Sequence, residues 1–362
     1  MYVTANDVVA LRAATFAFQQ PQLGASLSQI ASSFGGFVVC CAAMYLLIDT
    51  SFWLAALPAL PAAGFLVRIF IIQHDCGHGA FFRSRRANDA TGMLCSVLTL
   101  TPYAAWRRHH ANHHSNWNNL DRRESGLDIY SSVLTVAEYR ALCAWRRLAY
   151  RISRHPVVVN LILPPIVFLL LYRIPFDMPK SWRRERLAVY GTNGVIIGLV
   201  GGLGLLVGFG PVAFVQLLVI SLAAIIGAWL FSIQHRFEQA RWFPGQDWQH
   251  AAASLEGSSY LKTNRLLRWF TGNIGLHHVH HLNPRVPNYR LQDLLNTVPA
   301  LREVRPLGLK QALGAWRYVL WDEAAGRLVT FREERIASSR AAVAPEPYIP
   351  GVEPRPPGQV RD

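Results

Sequence analysis

The sequence predicts an all-α polytopic membrane protein: four transmembrane helices and a helical cap that holds a histidine-rich di-metal site. Three observations predict it. Of 362 residues, 51% are hydrophobic and only 16% charged, where a soluble domain carries roughly 25% charged residues. Four apolar runs approach the ~20 residues a helix needs to cross a bilayer. Most of the 13 histidines fall in three groups just beyond the ends of apolar stretches.

Residues 1–28 read as an N-terminal cytoplasmic or interfacial segment. They show no basic start followed by a clean apolar core, so no cleavable signal peptide is expected. The first span covers residues 29–48 and the second 52–72, the latter despite Pro58, Pro61 and Arg68. Only "DTS" separates them, which predicts a tight helical hairpin. Residues 92–105 are apolar but short. Residues 157–172 would reach only about 24 Å as a helix and carry Asn160 and Pro164–Pro165. Both stretches read as interfacial or partly re-entrant. If all histidine groups share one side, an even number of spans must separate them, and a full span at 157–172 would break that rule. The third span is the glycine-rich run 187–208. The fourth is 211–233, opened by Pro211, a residue suited to a helix start.

From about residue 236 the chain turns polar. Segments 73–186 and 234–337 are expected to form the cytoplasmic cap of one membrane domain spanning 29–337. Within the cap, 288–304 has apolar residues at helical spacing and predicts an amphipathic helix. Residues 338–362 are proline-rich and predict a disordered tail. There is no internal repeat.

The formal net charge is +14. A basic balance suggests nucleic acid or an anionic membrane surface. Here the arginines flank apolar runs: Arg83, Arg85 and Arg86; Arg107 and Arg108; Arg183, Arg184 and Arg186. That placement follows the positive-inside rule for cytoplasmic loops and argues against nucleic-acid binding. Cys40, Cys41, Cys76, Cys95 and Cys143 form no C-x-x-C pair, which removes the spacing of zinc ribbons and thioredoxin sites. Cys40 and Cys41 lie in a predicted span and act as small hydrophobes.

The histidines carry the chemistry. "HDCGH" places His74 and His78 at i, i+4, on one helical face. "HHANHH" contains His110, His113 and His114 in an H-x-x-H-H pattern, and "HHVHH" repeats it with His277, His280 and His281. A register slip would put His109 or His278 in place of a neighbour. His235 follows the fourth span as His74 follows the second, each preceded by glutamine, and is a ninth candidate ligand. His155 and His250 stand alone and read as structural. Neutral imidazole suits zinc, copper, iron and nickel. Eight or nine imidazoles are too many for one tetrahedral zinc but fit two metals with open positions.

At "HDCGH", "HHANHH" and "GNIGLHHVHH" the sequence resembles the membrane fatty acid desaturases, and within them the acyl-lipid, methyl-end (Δ12/ω-6-type) branch. The likeness runs from about residue 29 to 295. It implies a non-haem di-iron centre on the cytoplasmic face, with O2 as co-substrate. By motif position it carries ligand roles onto His74, His78, His110, His113, His114, His277, His280 and His281. His235 matches the extra histidine such enzymes place after the last span. The third box opens with histidine, where front-end desaturases carry glutamine, and no fused cytochrome b5 motif "HPGG" is present. The first box has three intervening residues, where acyl-CoA Δ9 enzymes have four. Those enzymes place asparagine one turn before the ninth histidine. Phe231 stands there in this chain, so their tenth-ligand arrangement does not carry over.

The implied reaction removes two hydrogens from unactivated methylenes. No side-chain acid or base attacks such a bond, so a metal carries the hard chemistry. The protein is left to position a membrane-lipid acyl chain, or an acyl-CoA, in an apolar tunnel. Trp106, Trp117, Trp229, Trp242, Trp248, Trp269 and Phe270 lie near the boxes as candidate lining, though aromatics favour membrane interfaces in any case. Carboxylates commonly orient metal-bound histidines; Asp75, Asp121, Asp128 and Glu238 are the candidates. The basic face would dock an external electron donor, a ferredoxin or cytochrome b5-like protein, or hold membrane lipid headgroups. A bacterial inner membrane is expected, with boxes and both termini cytoplasmic. The alternatives are a related membrane hydroxylase or ketolase, a metal transporter, or a scaffold. A transporter wants ionisable groups in mid-span, whereas these histidines lie at or beyond span ends.

Overall fold

The computed structural model describes residues 11, 13–123 and 132–343. Among them, four helical segments are long and apolar enough to cross a membrane. The first is α1 (Leu23–Leu47). The second is the short helix Phe52–Ala56 followed by α2 (Ala59–Gly77). The third and fourth are α7 (Arg183–Val207) and α8 (Phe209–His235). All four depart from the predicted limits. α1 starts at Leu23, six residues before the expected span, because Leu23–Ser28 continue its helix although four of the six are small or polar. α2 runs on past Ile72 to Gly77, so the whole first box except its last histidine is helical. α7 reaches back to Arg183, carrying charged residues beyond the apolar run. α8 begins at Phe209, two residues before Pro211, directly after Gly208 in a left-handed conformation (φ 89°).

α2 and α8 form the centre. α1 packs on α2, α2 on α8, and α7 on α8. Leu66, Ile69 and Ile72 of α2 meet Val215, Val219, Ile220 and Ile233 of α8, with Phe37 and Met44 of α1 alongside. A fully buried side chain of this kind contributes ~1.5–3 kcal/mol. The outer faces are apolar as well. Leu27, Val38, Val39 and Leu46 of α1 and Leu187, Ile197 and Leu205 of α7 are exposed. Broad apolar outer faces of this kind suit lipid chains, and helices suit them too because they satisfy their own backbone groups.

Between α2 and α7 the chain builds half of the cap: α3 (Arg85–Leu98), α4 (Tyr103–Asn116), α5 (Ala144–Ser153) and α6 (Leu163–Leu169). The stretch predicted as one apolar segment at 92–105 is split between α3 and α4, because Leu100 turns left-handed (φ 53°) and Pro102 starts a new helix. The stretch 157–172 is broken too: a π-helical turn (Val158–Ile162), then α6, then a 3-10 turn (Leu171–Arg173). It meets α5 at a 52° bend. No residue of α5 is buried. Its Trp145, Leu148 and Ile152 form an exposed apolar row.

The rest of the cap follows α8: α9 (His250–Gly257), a short helix Arg265–Phe270, α10 (His277–Leu282), α11 (Leu291–Thr297), a short helix Leu309–Gly314 and α12 (Phe331–Val343), which runs six residues into the segment 338–362 expected to be a disordered tail. The amphipathic helix expected over 288–304 is instead a 3-10 turn, α11 and a second 3-10 turn, because Pro299 interrupts it. The cap is not purely helical. β1 (Leu134–Thr135) pairs parallel with β4 (Leu320–Asp322), and β4 antiparallel with β5 (Arg327–Val329). β2 (Tyr260–Lys262) pairs parallel with β3 (Pro306–Gly308), setting Tyr260 opposite Pro306.

Candidate metal centre

Four helices bring the histidines together: the C-terminal ends of α2, α4 and α8, and the short α10. α2 stops at the first box because Gly79 adopts a left-handed conformation (φ 68°), as a glycine after a helix end often does. Its N–H donates to the Cys76 carbonyl, and that of Ala80 to the Asp75 carbonyl. The second box lies along the last two turns of α4. The third fills the six-residue α10. Gly272 (φ 54°) and Asn273 (φ 56°) turn the chain into α10. A Cβ on Gly272 would meet Ile71 Cγ2 at 2.7 Å, so only glycine lets this turn close against α2.

Nine imidazoles fall into two groups: His74, His78, His110, His114 and His280; and His113, His235, His277 and His281. Within each group the candidate ligand atoms lie within 4.8 Å of one another. Each H-x-x-H-H motif is divided. His110 and His114 (i, i+4) join the first group and His113 the second. His277 and His281 (i, i+4) join the second and His280 the first. The rings of His114 and His281 stack 4.1 Å apart where the groups meet.

The nitrogen geometry fits metal ions. His110 Nε2 lies 3.1 Å from Nε2 of both His78 and His114, and His280 Nε2 lies 3.2 Å from that of His114. His235 Nε2 lies 2.9 Å from that of His277 and 3.0 Å from that of His113. Each Nε2 carries either one hydrogen or one lone pair, so a nitrogen with two nitrogen neighbours cannot form a full hydrogen bond to both and leaves like groups facing each other. A cation between them removes that repulsion. Neighbouring ligands at right angles around a metal, with ~2.1 Å metal–nitrogen bonds, stand about 3.0 Å apart. Burial first, and the neighbouring imidazoles second, hold His78, His114, His277, His280 and His281 well below the ordinary histidine pKa of 6.5. Burial and then His114 do the same for His110. These six rings are therefore neutral donors at pH 7, the form that binds metal.

One carboxylate orients this set. Asp75 Oδ1 lies 3.1 Å from His74 Nδ1, so an Nδ1–H donated to it leaves His74 Nε2 free for a metal. Oδ2 accepts from the Asn288 backbone N–H at 2.7 Å and its side-chain amide at 2.8 Å. Asn288 in turn exchanges hydrogen bonds with Gln29 of α1. Asp75, Asn288 and Gln29 are all buried. The network ties the first span, the first box and the segment after the third. Asp75→Asn is expected to cut metal affinity by ~10–100-fold, the usual effect of losing such a partner. Metal content of the purified variant after dialysis against a chelator checks it.

The other carboxylates serve elsewhere. Asp121 Oδ2 accepts the Gly245 N–H at 2.7 Å and fixes a loop. Glu238 accepts from the Tyr318 hydroxyl and pairs with Arg327. It holds β5 to the cap, in the family of contacts that long cap side chains make, and not to a histidine. Asp128 lies outside the described residues. Neither register alternative holds. His109 pairs with Asp177 at 3.5 Å, and the His278 Nε2 lies 3.1 Å from the Leu301 carbonyl, with burial pushing its pKa down to about 4. Asn288 and Gln29 were missed. A glutamine inside an apolar run, in register with Ser26 and Ser33 on one buried face, is the signal that marks Gln29.

An apolar cavity of about 550 Å³ leads to the cluster. Leu66, Val67 and Phe70 of α2, Val167 and Phe168 of α6, and Ala223, Ala224, Gly227 and Phe231 of α8 line it, and His74, His110, His113 and His277 close one end. Its volume falls in the ~300–1,000 Å³ range of pockets that enclose a small molecule. Of the aromatics suggested as lining, Trp106 does line it, stacked on His110 with ring centres 4.6 Å apart. Trp117 packs on His281 from the other side. Trp269 lies under Arg68 and beside Phe270, and Trp229, Trp242 and Trp248 also lie off the cavity wall, as does Phe270.

Fold and site together define a class: a helical membrane oxidoreductase with a buried cluster of imidazoles at the end of an apolar cavity. The sequence model of the family described as "Fatty acid desaturase" matches residues 51–310, and the chain belongs to that family. It is 41% identical over 316 residues to the "Fatty acid desaturase" of Bacillus subtilis strain 168, covering 87% of this chain and 88% of that one. It is 28% identical over 248 residues to a "sn-1 acyl-lipid omega-3 desaturase (ferredoxin)" of Nostoc, covering 65% and 64%. It is 25% identical over 232 residues to a "sn-1 oleoyl-lipid 12-desaturase" of Synechocystis, covering 63% of each chain.

Proposed function

We propose that this enzyme inserts a cis double bond into the acyl chain of a membrane lipid, at the Δ12/ω-6 position. It would use two iron ions, O2 and an external electron donor. The observation that carries the reading is the apolar cavity ending on two convergent groups of imidazoles. The balance is one substrate –CH2–CH2– unit, one O2, two electrons and two protons in; one –CH=CH– unit and two waters out. Bound there, the irons would supply the oxidising power, and the five-histidine and four-histidine groups would hold one each. The chain's own residues bind and orient. Leu66, Val67, Ala223 and Ala224 hold the apolar chain. Phe231 and Trp106 wall the approach to the histidines, and Asp75 fixes the His74 tautomer.

Nine histidines are assigned as ligands: His74, His78, His110, His114 and His280 to one iron, His113, His235, His277 and His281 to the other. The relative named as ferredoxin-dependent and this chain's +14 charge support an acidic one-electron protein as donor. The proposed location is a bacterial inner membrane, and the arginine-flanked spans support boxes and both termini on the cytoplasmic side. The domain reading is a membrane domain at 29–337 between a short N-terminal segment and a C-terminal tail.

The test is gas chromatography–mass spectrometry of total fatty acids from a bacterial host expressing this chain, supplied with oleate and oxygen. A new diene is expected, and its double-bond position gives the regiochemistry. A hydroxylated product with no diene would replace desaturation by hydroxylation.

A further inference from the structure

Two tryptophans touch the imidazole cluster, from opposite sides. Trp106 stacks on His110 and leads through Phe70, with ring centres 5.4 Å apart, into the apolar cavity. Trp117 packs on His281 at 4.2 Å and leads the other way. Its ring lies 5.5 Å from that of Trp248 and 5.2 Å from that of His250. Trp117 is buried, whereas Trp248 and His250 are half-buried in the segment 244–250, most of whose other residues are exposed. The rings are held in place. Trp117 Nε1 donates to the Ala253 carbonyl at 3.1 Å, and Trp248 Nε1 donates to the Trp117 carbonyl at 2.8 Å.

From this geometry we infer that Trp248 and Trp117 form the entry path for electrons, ending at His281 in the four-histidine group. The inference rests on the di-iron reading above. Every electron must cross from a soluble carrier to a buried centre, and transfer falls off steeply with the gap between conjugated groups. The path from Trp248 to His281 has two ring-to-ring steps. The cavity side is reserved for the acyl chain, and a donor docked there would block it. The cap surface around Trp248 leaves the cavity open. The donor is a small one-electron iron–sulfur protein of the [2Fe–2S] class. It gives up one electron per encounter, so two encounters supply the two electrons of the balance above, and the two protons come from water.

The experiment uses the full-length enzyme in detergent, without oxygen. Reduction of the oxidised centre is followed optically, with reduced [2Fe–2S] ferredoxin or with dithionite as reductant. Trp248→Leu is expected to slow ferredoxin-driven reduction by an order of magnitude or more, with dithionite-driven reduction and iron content unchanged. Trp248→Phe, which loses the same Nε1–H hydrogen bond but keeps a ring in the gap, is expected to recover most of the rate. A packing role alone would disturb the centre itself, slowing reduction by dithionite as well as by ferredoxin or lowering the iron content. Equal ferredoxin rates in wild type and Trp248→Leu would overturn the path and leave the di-iron reading standing. A wild-type protein that holds no iron and shows no change with dithionite would overturn both.

Discussion

Alanine in place of His78, His114 or His281 is expected to abolish desaturation while the protein still inserts in the membrane. The three represent both groups: His78 and His114 belong to the five-histidine set and His281 to the four. If both metals share the oxidising work, emptying either group is enough. Removing a residue that only orients a ligand costs ~10–100-fold in affinity or activity, so removing a ligand should exceed the upper end of that range. Insertion follows the hydropathy of the spans, and none of the three lies inside one. Fatty-acid profiles of expressing cells, with metal content of the membranes, check the result. His278→Ala is the matched control. It lies in the same short helix, equally buried, but its Nε2 faces the Leu301 carbonyl. Leaving the buried Leu301 carbonyl without that partner costs about 1–3 kcal/mol of stability and should leave the turnover of the folded protein near wild type. Normal turnover in two of the three ligand variants would sink the di-metal assignment.

The contrast between His278 and its neighbours shows how far the sequence could be read. Spacing in H-x-x-H-H told which imidazoles converge but not how they divide. The division depends on where α2, α4, α8 and α10 meet, a tertiary fact. The i, i+4 pair of each motif stays together because it shares a helical face, and the middle histidine, turned aside, reaches across to the other group. Asp75 was legible because it sits inside a box. Asp121 and Glu238 were misread because closeness in sequence to a box does not place a carboxylate near it; both instead fasten loops to the cap. The spans were legible as apolar runs, but their ends were not. α1 and α7 gain turns outside the apolar runs, since helix propagation continues until something stops it. The split of 157–172 was foreshadowed by Pro164–Pro165, and the exposed row on α5 by no single residue.

The second large effect is expected in the cavity, where Gly227→Leu should shorten the acyl chain the enzyme accepts. Gly227 lines the cavity on α8. It lies eight residues, about 12 Å of helix, before His235. A Cβ built there meets no atom within 4 Å, so a leucine side chain enters open space and displaces substrate instead of protein. Stability should not fall, because leucine is favoured over glycine in a helix interior by up to ~1 kcal/mol. Substrate discrimination should change strongly, since each methylene that no longer fits an apolar pocket is worth ~1–3 kcal/mol, or ~10–200-fold. Conversion of oleoyl chains is therefore expected to drop by at least tenfold, while chains too short to reach Gly227 keep their rate. Desaturation assays across a series of acyl lengths, paired with thermal unfolding in detergent, separate the two effects. Loss of all lengths together with a lower melting temperature would mean that the helix packing was disturbed. Unchanged conversion of oleoyl chains would show that the acyl chain takes another route to the histidines, and the metal centre would then need a different doorway than the cavity between α2, α6 and α8.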